Sequence, residues 1–333
     1  MTARLALAVA EGGITLPETG PFAVLHPRAG ADLAPLPRDG AVLVQPFRPD
    51  HDALAADGWK VDWQLPEDQR FAASLVCLPR AKQQARALIA QAAARTDGLV
   101  IVDGAKTDGA DSLWRDCRKR AAVLGTLSKA HGRIFWFQAD AGVAEAFADW
   151  TAPDRQQAEG FVTAPGVFSA DGIDPASRLL ADSLPHHLGR HLADLGGGWG
   201  YLSARLLADD QIETLDLVEA DRIALNCARE NIPDPRARFH WADATTVKGI
   251  GPFDAVVMNP PFHTDRSADP GLGQRFIAAA ARLLTPRGQL WMVANRHLPY
   301  EAALEAAFAD HAEVAGDTRF KILHAARPRK RRP

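Results

Sequence analysis

The second half of the chain alternates short apolar segments with helix-like segments, and this alternation constrains the fold more than any other feature. Five candidate strands occur there, at 191–196, 214–220, 237–243, 253–259 and 288–295. Strands that alternate with helices form parallel sheets, because each helix returns the chain to the same end of the sheet. The sequence therefore predicts an α/β domain whose strands all end at one edge, where ligands bind in such folds.

Helices are predicted over 222–232, 273–284 and 299–310. Pro299 suits the start of the last helix, where a missing N–H costs least. The segment 312–327 predicts a terminal hairpin.

The first half is also predicted to be α/β, with strands at 41–46, 74–79, 99–104 and 133–138 and a helix at 80–95. Its loop at 103–109 contains glycine but lacks the G-x-G spacing of a nucleotide-binding loop. We therefore expect no cofactor site in this half. The Pro- and Gly-bearing segment 150–175 marks the seam. The expected domains are 1–155 and 156–327, followed by a basic tail at 328–333.

Composition narrows the function classes. The chain has 333 residues, of which 47% are hydrophobic and 24% charged, as in soluble globular proteins. Its net charge of −3 excludes a globally basic nucleic-acid-binding surface, so any RNA contact must be local, as at the basic clusters 115–120 and 326–333.

The scattered cysteines Cys77, Cys117 and Cys227 predict neither a metal site nor a disulfide framework, which suits a reducing cytoplasm. No segment has the roughly 18 apolar residues of a membrane span.

A glycine-rich loop follows the first strand of the second half. Asp194, Gly196, Gly198 and Gly200 form the pattern acid-x-G-x-G-x-G. The dinucleotide fingerprint G-x-G-x-x-G does not fit, because its sixth position is Tyr201. The pattern resembles motif I of class I S-adenosylmethionine-dependent methyltransferases. That resemblance implies S-adenosylmethionine as the cofactor and assigns this loop to its binding.

Two further acids follow the next two strands. Glu219 can accept hydrogen bonds from ribose hydroxyls, or it can be a solvated strand-end residue. Asp243, followed by Ala244, can bind adenine, as the resemblance implies, or form an Asx turn or helix N-cap. Asp194 can reach the methionine ammonium or cap the glycine loop. Because all three acids follow strands of one parallel sheet, we predict that they lie at one cofactor-binding edge.

The fourth strand ends in Asn-Pro-Pro-Phe. Neither Pro260 nor Pro261 has an N–H to donate, so strand pairing stops there. The Asn259 Oδ1 atom and the Pro260 carbonyl are acceptors for a planar amino group, while Phe262 can stack on its ring. We predict that Asn259, Pro260 and Phe262 are catalytic, and that Pro261, Phe262 and His263 bind the substrate.

This tetrapeptide resembles the [N/D/S]-P-P-[Y/F/W] signature of amino-group methyltransferases, which act on adenine N6, guanine N2, cytosine N4 or glutamine N5. Together with segments at 165–185, 293–300 and 318–325, it resembles bacterial small-subunit ribosomal RNA guanine-N2 methyltransferases of the RsmC type. The resemblance covers residues 163–327 in detail. It implies two tandem Rossmann-like methyltransferase domains, the second a seven-stranded class I sheet and the first degenerate.

Phe168 and Ser169 are implied to lie near the methionine end of the cofactor. Trp199 replaces a small residue of the family, so we expect it to point away from the cofactor or to form part of its wall.

The implied activity is methyl transfer to guanine N2 in small-subunit (16S) ribosomal RNA. Three alternatives remain open: a large-subunit guanine-N2 methyltransferase, a protein glutamine-N5 methyltransferase and a non-enzymatic ribosome-assembly factor. Phenylalanine at position 262 and an α/β first half argue against the glutamine enzymes, which usually have tyrosine and a helical first domain. The expected partner is ribosomal RNA in an assembled small subunit, bound by a monomer without membrane association, and no metal is expected.

Overall fold

The computed structural model describes residues 4–261 and 270–329. The chain divides into two compact units, residues 1–154 and 155–333. Each unit contains a seven-stranded sheet, and a two-stranded ribbon precedes the sheet of the second unit. In the described ranges, no helix has the length and apolar character needed to span a membrane.

The strands of the first unit are β1 Phe22–Leu25, β2 Ala41–Val44, β3 Val61–Asp62, β4 Phe71–Cys77, β5 Thr96–Ala105, β6 Val123–Lys129 and β7 Gly132–Gln138. Its helices are α1 Arg4–Ala10, α2 Arg48–Ala56, α3 Lys82–Arg95, α4 Ala110–Cys117 and α5 Ala141–Ala146. Short 3-10 turns occupy Lys106–Asp108 and Ala148–Trp150.

The second unit begins with the ribbon β8 Gln156–Ala158 and β9 Phe161–Thr163. Its sheet contains β10 His191–Leu195, β11 Thr214–Glu219, β12 Ala237–Trp241, β13 Phe253–Met258, β14 Leu284–Asn295, β15 Phe308–Gly316 and β16 Phe320–Pro328. Its helices are α6 Pro175–Ser183, α7 Tyr201–Leu206, α8 Arg222–Asn231, α9 Pro270–Leu283 and α10 Glu301–Ala307.

Both sheets have the same strand order. The first unit has β3-β2-β1-β4-β5-β7-β6, and the second has β12-β11-β10-β13-β14-β16-β15. In each sheet the first five strands are parallel and the last two pair antiparallel. Because β10 lies between β11 and β13, the ends of these three strands meet at one edge, as the sequence predicts. The fold therefore contains two tandem Rossmann-like domains.

The second sheet is buried on both faces, because side chains alternate along each strand. Leu192 of β10 and Val257 of β13 belong to one apolar cluster, and Ala193 and Val256 belong to the other. This burial explains why the central strands are almost continuously apolar, as is typical of parallel sheets.

Some predicted boundaries are wrong. Strand β12 ends at Trp241, so Asp243 lies two residues beyond the strand. The predicted helix 299–310 is α10, Glu301–Ala307, and the chain becomes extended at Phe308. Phe308 is fully buried and pairs with Pro328, so strand pairing overrides the helical pattern there.

Candidate active site

The glycine loop connects β10 to α7, and its glycines have two different structural purposes. Gly196, Gly198 and Gly200 all have positive φ angles, at 75°, 57° and 95°. A Cβ atom on Gly200 would lie 2.7 Å from Cδ1 of Ile232, so this glycine allows α8 to approach the loop. A Cβ atom on Gly198 would have no neighbour within 4 Å, so this glycine leaves open space above the loop.

That open space belongs to a cleft beside the glycine loop. The cleft joins the predicted cofactor loop to the predicted catalytic asparagine. It is lined by Phe168, Ser169, Asp174, Ser177, Gly196, Gly197, Gly198, Trp199, Tyr201, Leu202 and Asn259.

Asp194 lies beneath the loop and is fully buried. Its Oδ2 atom accepts a hydrogen bond from the Ser203 hydroxyl at 2.7 Å, so it anchors α7. Its Oδ1 atom is buried and has no donor among the described residues. Burial raises the pKa of Asp194 to about 6. The described hydrogen bond of Asp194 thus goes to α7 and not to the N–H groups of the glycine loop, and the orphaned oxygen leaves room for a further donor.

Glu219 joins the glycine loop to the start of α8. One carboxylate oxygen accepts the Gly198 N–H at 2.8 Å, and the other accepts the Asp221 N–H at 2.7 Å. Burial raises the pKa of Glu219 to about 7, while these N–H groups favour the charged form. Each oxygen keeps a second lone pair, so both can still accept from ribose hydroxyls.

Asp243 forms a local turn. Its Oδ1 atom accepts from the N–H and the hydroxyl of Thr245, at 2.8 and 2.7 Å, which is the Asx-type arrangement. Ala244 packs in the apolar core and is 4% exposed. Neither residue lines the cleft, so their assignment to adenine remains a prediction.

The Asn259 side chain is held in one orientation. Its Nδ2 atom donates to Asp174 Oδ2 at 2.9 Å and to the Ser177 hydroxyl at 2.8 Å. Because an ionised carboxylate only accepts, the nitrogen of the amide must face Asp174. The Oδ1 atom has no donor among the described residues, and Asn259 lines the cleft.

The rest of the Asn-Pro-Pro-Phe motif is only partly described. Pro260 is buried after the end of β13, and Pro261 is exposed. Phe262 and His263 lie outside the described residues, so their predicted roles remain predictions.

A braced loop forms another wall of the cleft. The Phe168 carbonyl accepts the Trp199 indole N–H at 2.9 Å, and the Phe168 side chain is 63% exposed. The Trp199 ring is 4% exposed and packs against Phe161 with ring centroids 5.1 Å apart. Trp199 therefore fixes the loop to the glycine turn and forms part of the wall, as we expected from its size.

The residues at this edge fit S-adenosylmethionine. Gly198 leaves space for a ligand to approach the loop backbone, and Glu219 offers hydroxyl acceptors beside it. The orphaned Asp194 oxygen adds a further acceptor site near the loop. These acidic acceptors suit a cationic nucleoside and do not suit a pyrophosphate.

The first unit carries a second copy of this edge that lacks these groups. Gly196 donates its N–H to the Val218 carbonyl, and His26 makes the same bond to Val44, both at 2.8 Å. Like Gly196, His26 has a positive φ angle, 62°, which a residue with a side chain adopts only at a cost in free energy. A histidine therefore stands where the cofactor loop of the second unit has a glycine.

Gln45 of the first unit corresponds to Glu219. Its Oε1 atom accepts the Phe47 N–H at 2.9 Å, as Glu219 accepts that of Asp221. Its Nε2 atom instead donates to the Pro27 carbonyl at 2.7 Å, so only one end of this side chain accepts. By sheet register, Cys77 corresponds to Asn259. The first unit is thus a degenerate methyltransferase-like fold.

Fold and site together define a class I S-adenosylmethionine-dependent methyltransferase. Residues 159–324 match the methyltransferase small domain family, and the second unit belongs to that family.

Curated relatives fall into two groups. The chain is 36% identical over 165 residues to the ribosomal RNA large subunit methyltransferase G of Aeromonas salmonicida. The aligned region covers 48% of this chain and 44% of that protein. This chain thus spans less than half the length of that relative. It is 28% identical over 326 residues to the ribosomal RNA small subunit methyltransferase C of Hahella chejuensis, covering 93% of this chain and 95% of that protein.

A solved structure has the same fold over almost the whole chain. It is the T. thermophilus 16S rRNA N2 G1207 methyltransferase (RsmC) in complex with AdoMet and guanosine. The TM-score is 0.77 at 24% sequence identity, with 94% of this chain and 90% of that chain covered.

Sequence reasoning missed Asp174 and Ser177. The pair Asp174-Pro175 is a recognisable helix start, since Asp is a good N-cap and Pro suits the first turn. Asp174 does cap α6 by accepting the Ser177 N–H at 2.8 Å. The local signal therefore predicts the cap, but it contains nothing about Asn259.

Proposed function

We propose that the chain transfers a methyl group from S-adenosylmethionine to the exocyclic N2 amine of a guanine in small-subunit (16S) ribosomal RNA. The observation that carries this proposal is the orientation of Asn259, whose nitrogen is occupied by Asp174 and Ser177. Its Oδ1 atom is thereby directed to accept an N–H, and an exocyclic amine is a donor that suits it.

S-adenosylmethionine supplies an electrophilic methyl group when bound. The Gly196–Gly200 loop and Glu219 would hold it, with Asp194 beneath the loop and with Asp243 and Ala244 at the adenine end. Asn259 Oδ1 and the Pro260 carbonyl would each accept one amine hydrogen, which aligns the nitrogen lone pair and favours its growing positive charge. Phe262, with Pro261 and His263, would hold the base plane. The nitrogen then loses a proton to water, and no strong base is required.

The small subunit is the favoured substrate because similarity to the small-subunit relative extends over both units. The large subunit is the second candidate, because the large-subunit relative is 36% identical to this chain over 165 residues. We further propose that the enzyme acts as a monomer in the cytoplasm on an assembled small subunit, with the first unit contributing to substrate recognition. Light scattering of the purified chain tests the monomer.

The test is a transfer assay with labelled S-adenosylmethionine. Substrates are isolated small subunits, isolated large subunits, naked ribosomal RNA and release-factor protein, and mass spectrometry of digests identifies the product. Asn259→Ala should strongly reduce N2-methylguanosine formation while leaving a measurable rate. The control is Asn226→Ala, which removes an amide on α8 whose oxygen accepts from Arg229. Label in the protein factor, or none in any substrate despite cofactor binding, would refute the guanine assignment.

A further inference from the structure

Positive charge is concentrated in one segment of the first unit. Between residues 106 and 133 the chain has seven basic and three acidic residues, although its net charge as a whole is −3. This segment contains α4 and the two antiparallel strands β6 and β7. The cluster predicted from the sequence at 115–120 therefore lies at the end of one helix.

Several arginines around α4 are neutralised by carboxylates. These pairs are Arg86 with Asp116 at 2.9 Å, Arg120 with Asp149 at 2.5 Å and Arg133 with Asp111 at 2.7 Å. Two of these carboxylates, Asp111 and Asp116, belong to α4 itself.

Three other cations form no close ion pair among the described residues, although Arg115 and Lys119 interact electrostatically with Asp111 and Asp116 at longer range. Arg115, Arg118 and Lys119 are all exposed. The helical turn continues past Cys117, because Arg118 donates its N–H to the Trp114 carbonyl at 3.1 Å. Spacings of three and four residues put the three cations on one helical face, where like charges destabilise a helix by about 0.2–0.5 kcal/mol per pair. A bound anion would add to the compensation that the carboxylates of Asp111 and Asp116 provide.

Trp114 restricts part of this surface. Two guanidinium groups lie over its half-buried ring. The Cζ atoms of Arg118 and Arg133 are 5.0 and 4.2 Å from the ring centroid. Such stacking limits the rotamers of Arg118 before a partner arrives, so less entropy is lost on binding.

We propose that Arg115, Arg118 and Lys119 form a contact surface for ribosomal RNA phosphates. The inference rests on the proposed function, which makes ribosomal RNA the substrate. Three exposed cations on one helical face suit a contact with the RNA sugar-phosphate backbone, which does not depend on the base sequence. The surface would position the substrate, while the cleft in the second unit selects the base.

The experiment measures the salt dependence of RNA binding by the full chain. Equilibrium binding to isolated small subunits and to naked 16S rRNA is measured between 50 and 200 mM KCl. The triple variant Arg115→Ala/Arg118→Ala/Lys119→Ala is compared with Lys60→Ala/Lys248→Ala/Arg287→Ala, which removes the same charge from exposed positions elsewhere. Thermal unfolding of both variants confirms that they are folded.

Losing three phosphate contacts should lower the slope of log affinity against log salt by about 2.1–2.7. The loss of affinity between 50 and 200 mM KCl should then be about 20- to 40-fold smaller than for the wild-type chain. At saturating RNA, kcat should be unchanged while KM rises. An unchanged slope, or an equal change in the control variant, would overturn the proposal. Lost binding to subunits with normal binding to naked RNA would indicate a protein partner and would also overturn it.

Failure of the proposed function is distinguishable, because binding is read without methyl transfer. If the wild-type chain makes no N2-methylguanosine but the triple variant loses salt-dependent binding, the RNA surface stands.

Discussion

Replacing Asp174 with serine would separate the two contacts of this carboxylate. Asp174 Oδ2 caps α6 through the Ser177 N–H and also accepts from Asn259. Serine is as good an N-cap as aspartate, so we expect a change of less than about 0.5 kcal/mol in the free energy of unfolding. The shorter, neutral serine side chain cannot also hold the Asn259 amide as a carboxylate does.

The magnitude follows from the lost bond. A hydrogen bond to a charged group contributes about 1.5–3 kcal/mol. After the substitution only Ser177 would hold the Asn259 nitrogen. If orientation of Asn259 acts in the transition state, kcat should fall about 10- to 100-fold, because each 1.4 kcal/mol is a factor of about ten. We expect KM for RNA and cofactor to change less than about threefold, because the contacts proposed for both ligands are made by other residues.

The assay is steady-state methylation of isolated small subunits with labelled S-adenosylmethionine. Asp140→Ser is the matched control, because Asp140 caps α5 by accepting the Val143 N–H at 2.8 Å. The double variant Asp174→Ser/Asn259→Ala should be no slower than Asn259→Ala alone, because Asp174 acts through Asn259. The reasoning is refuted if kcat of Asp174→Ser stays within threefold of wild type, or if the substitution slows the Asn259→Ala enzyme by the same factor.

Two further predictions concern the glycine loop and the acid beneath it. Gly198→Ala should weaken S-adenosylmethionine binding in calorimetry at least tenfold while costing about 1–2 kcal/mol of stability from its positive φ. Gly200→Ala should lower the melting temperature more than Gly198→Ala does, because a Cβ atom on Gly200 would overlap Ile232. Equal destabilisation by the two substitutions would contradict the different purposes assigned to the two glycines. Asp194→Asn should flatten the pH dependence of stability. The pKa of Asp194 in the folded chain is raised to about 6 from 3.8. Asp194 therefore contributes fully to the free energy of unfolding below about pH 4, and this contribution is lost as the pH rises through 6. Urea titrations at pH 4 to 8 check this, and an unchanged profile would show that another group is responsible.

Much of the second unit was predictable because its signals are local. Helix α8 begins at Arg222, as predicted, because Asp221 caps it through the Ile223 N–H at 2.8 Å. Strand β13 ends at Met258, since the prolines that follow lack the N–H needed for pairing. These features depend on a few neighbouring residues, so the sequence displays them directly.

Less was predictable in the first unit. Strand β3 has only two residues, which is too short for a clear periodic pattern. The correspondence of His26 with Gly196 appears only when the two sheets are compared, because the chain around it has no glycine motif. Equivalent backbone geometry is maintained there by different residues.

The sequence by itself determined the fold class, the glycine loop with its acids, and the Asn-Pro-Pro end of the fourth parallel strand. Strand ends and turns follow from local propensity and spacing, so these features can be read along the chain. Only the tertiary structure decided how Asn259 is oriented. Its partner Asp174 lies 85 residues earlier, and a hydrogen bond at that separation leaves no periodic trace in the sequence. The orientation of the Asn259 amide, whose Oδ1 atom has no donor among the described residues, is therefore a property of the folded edge.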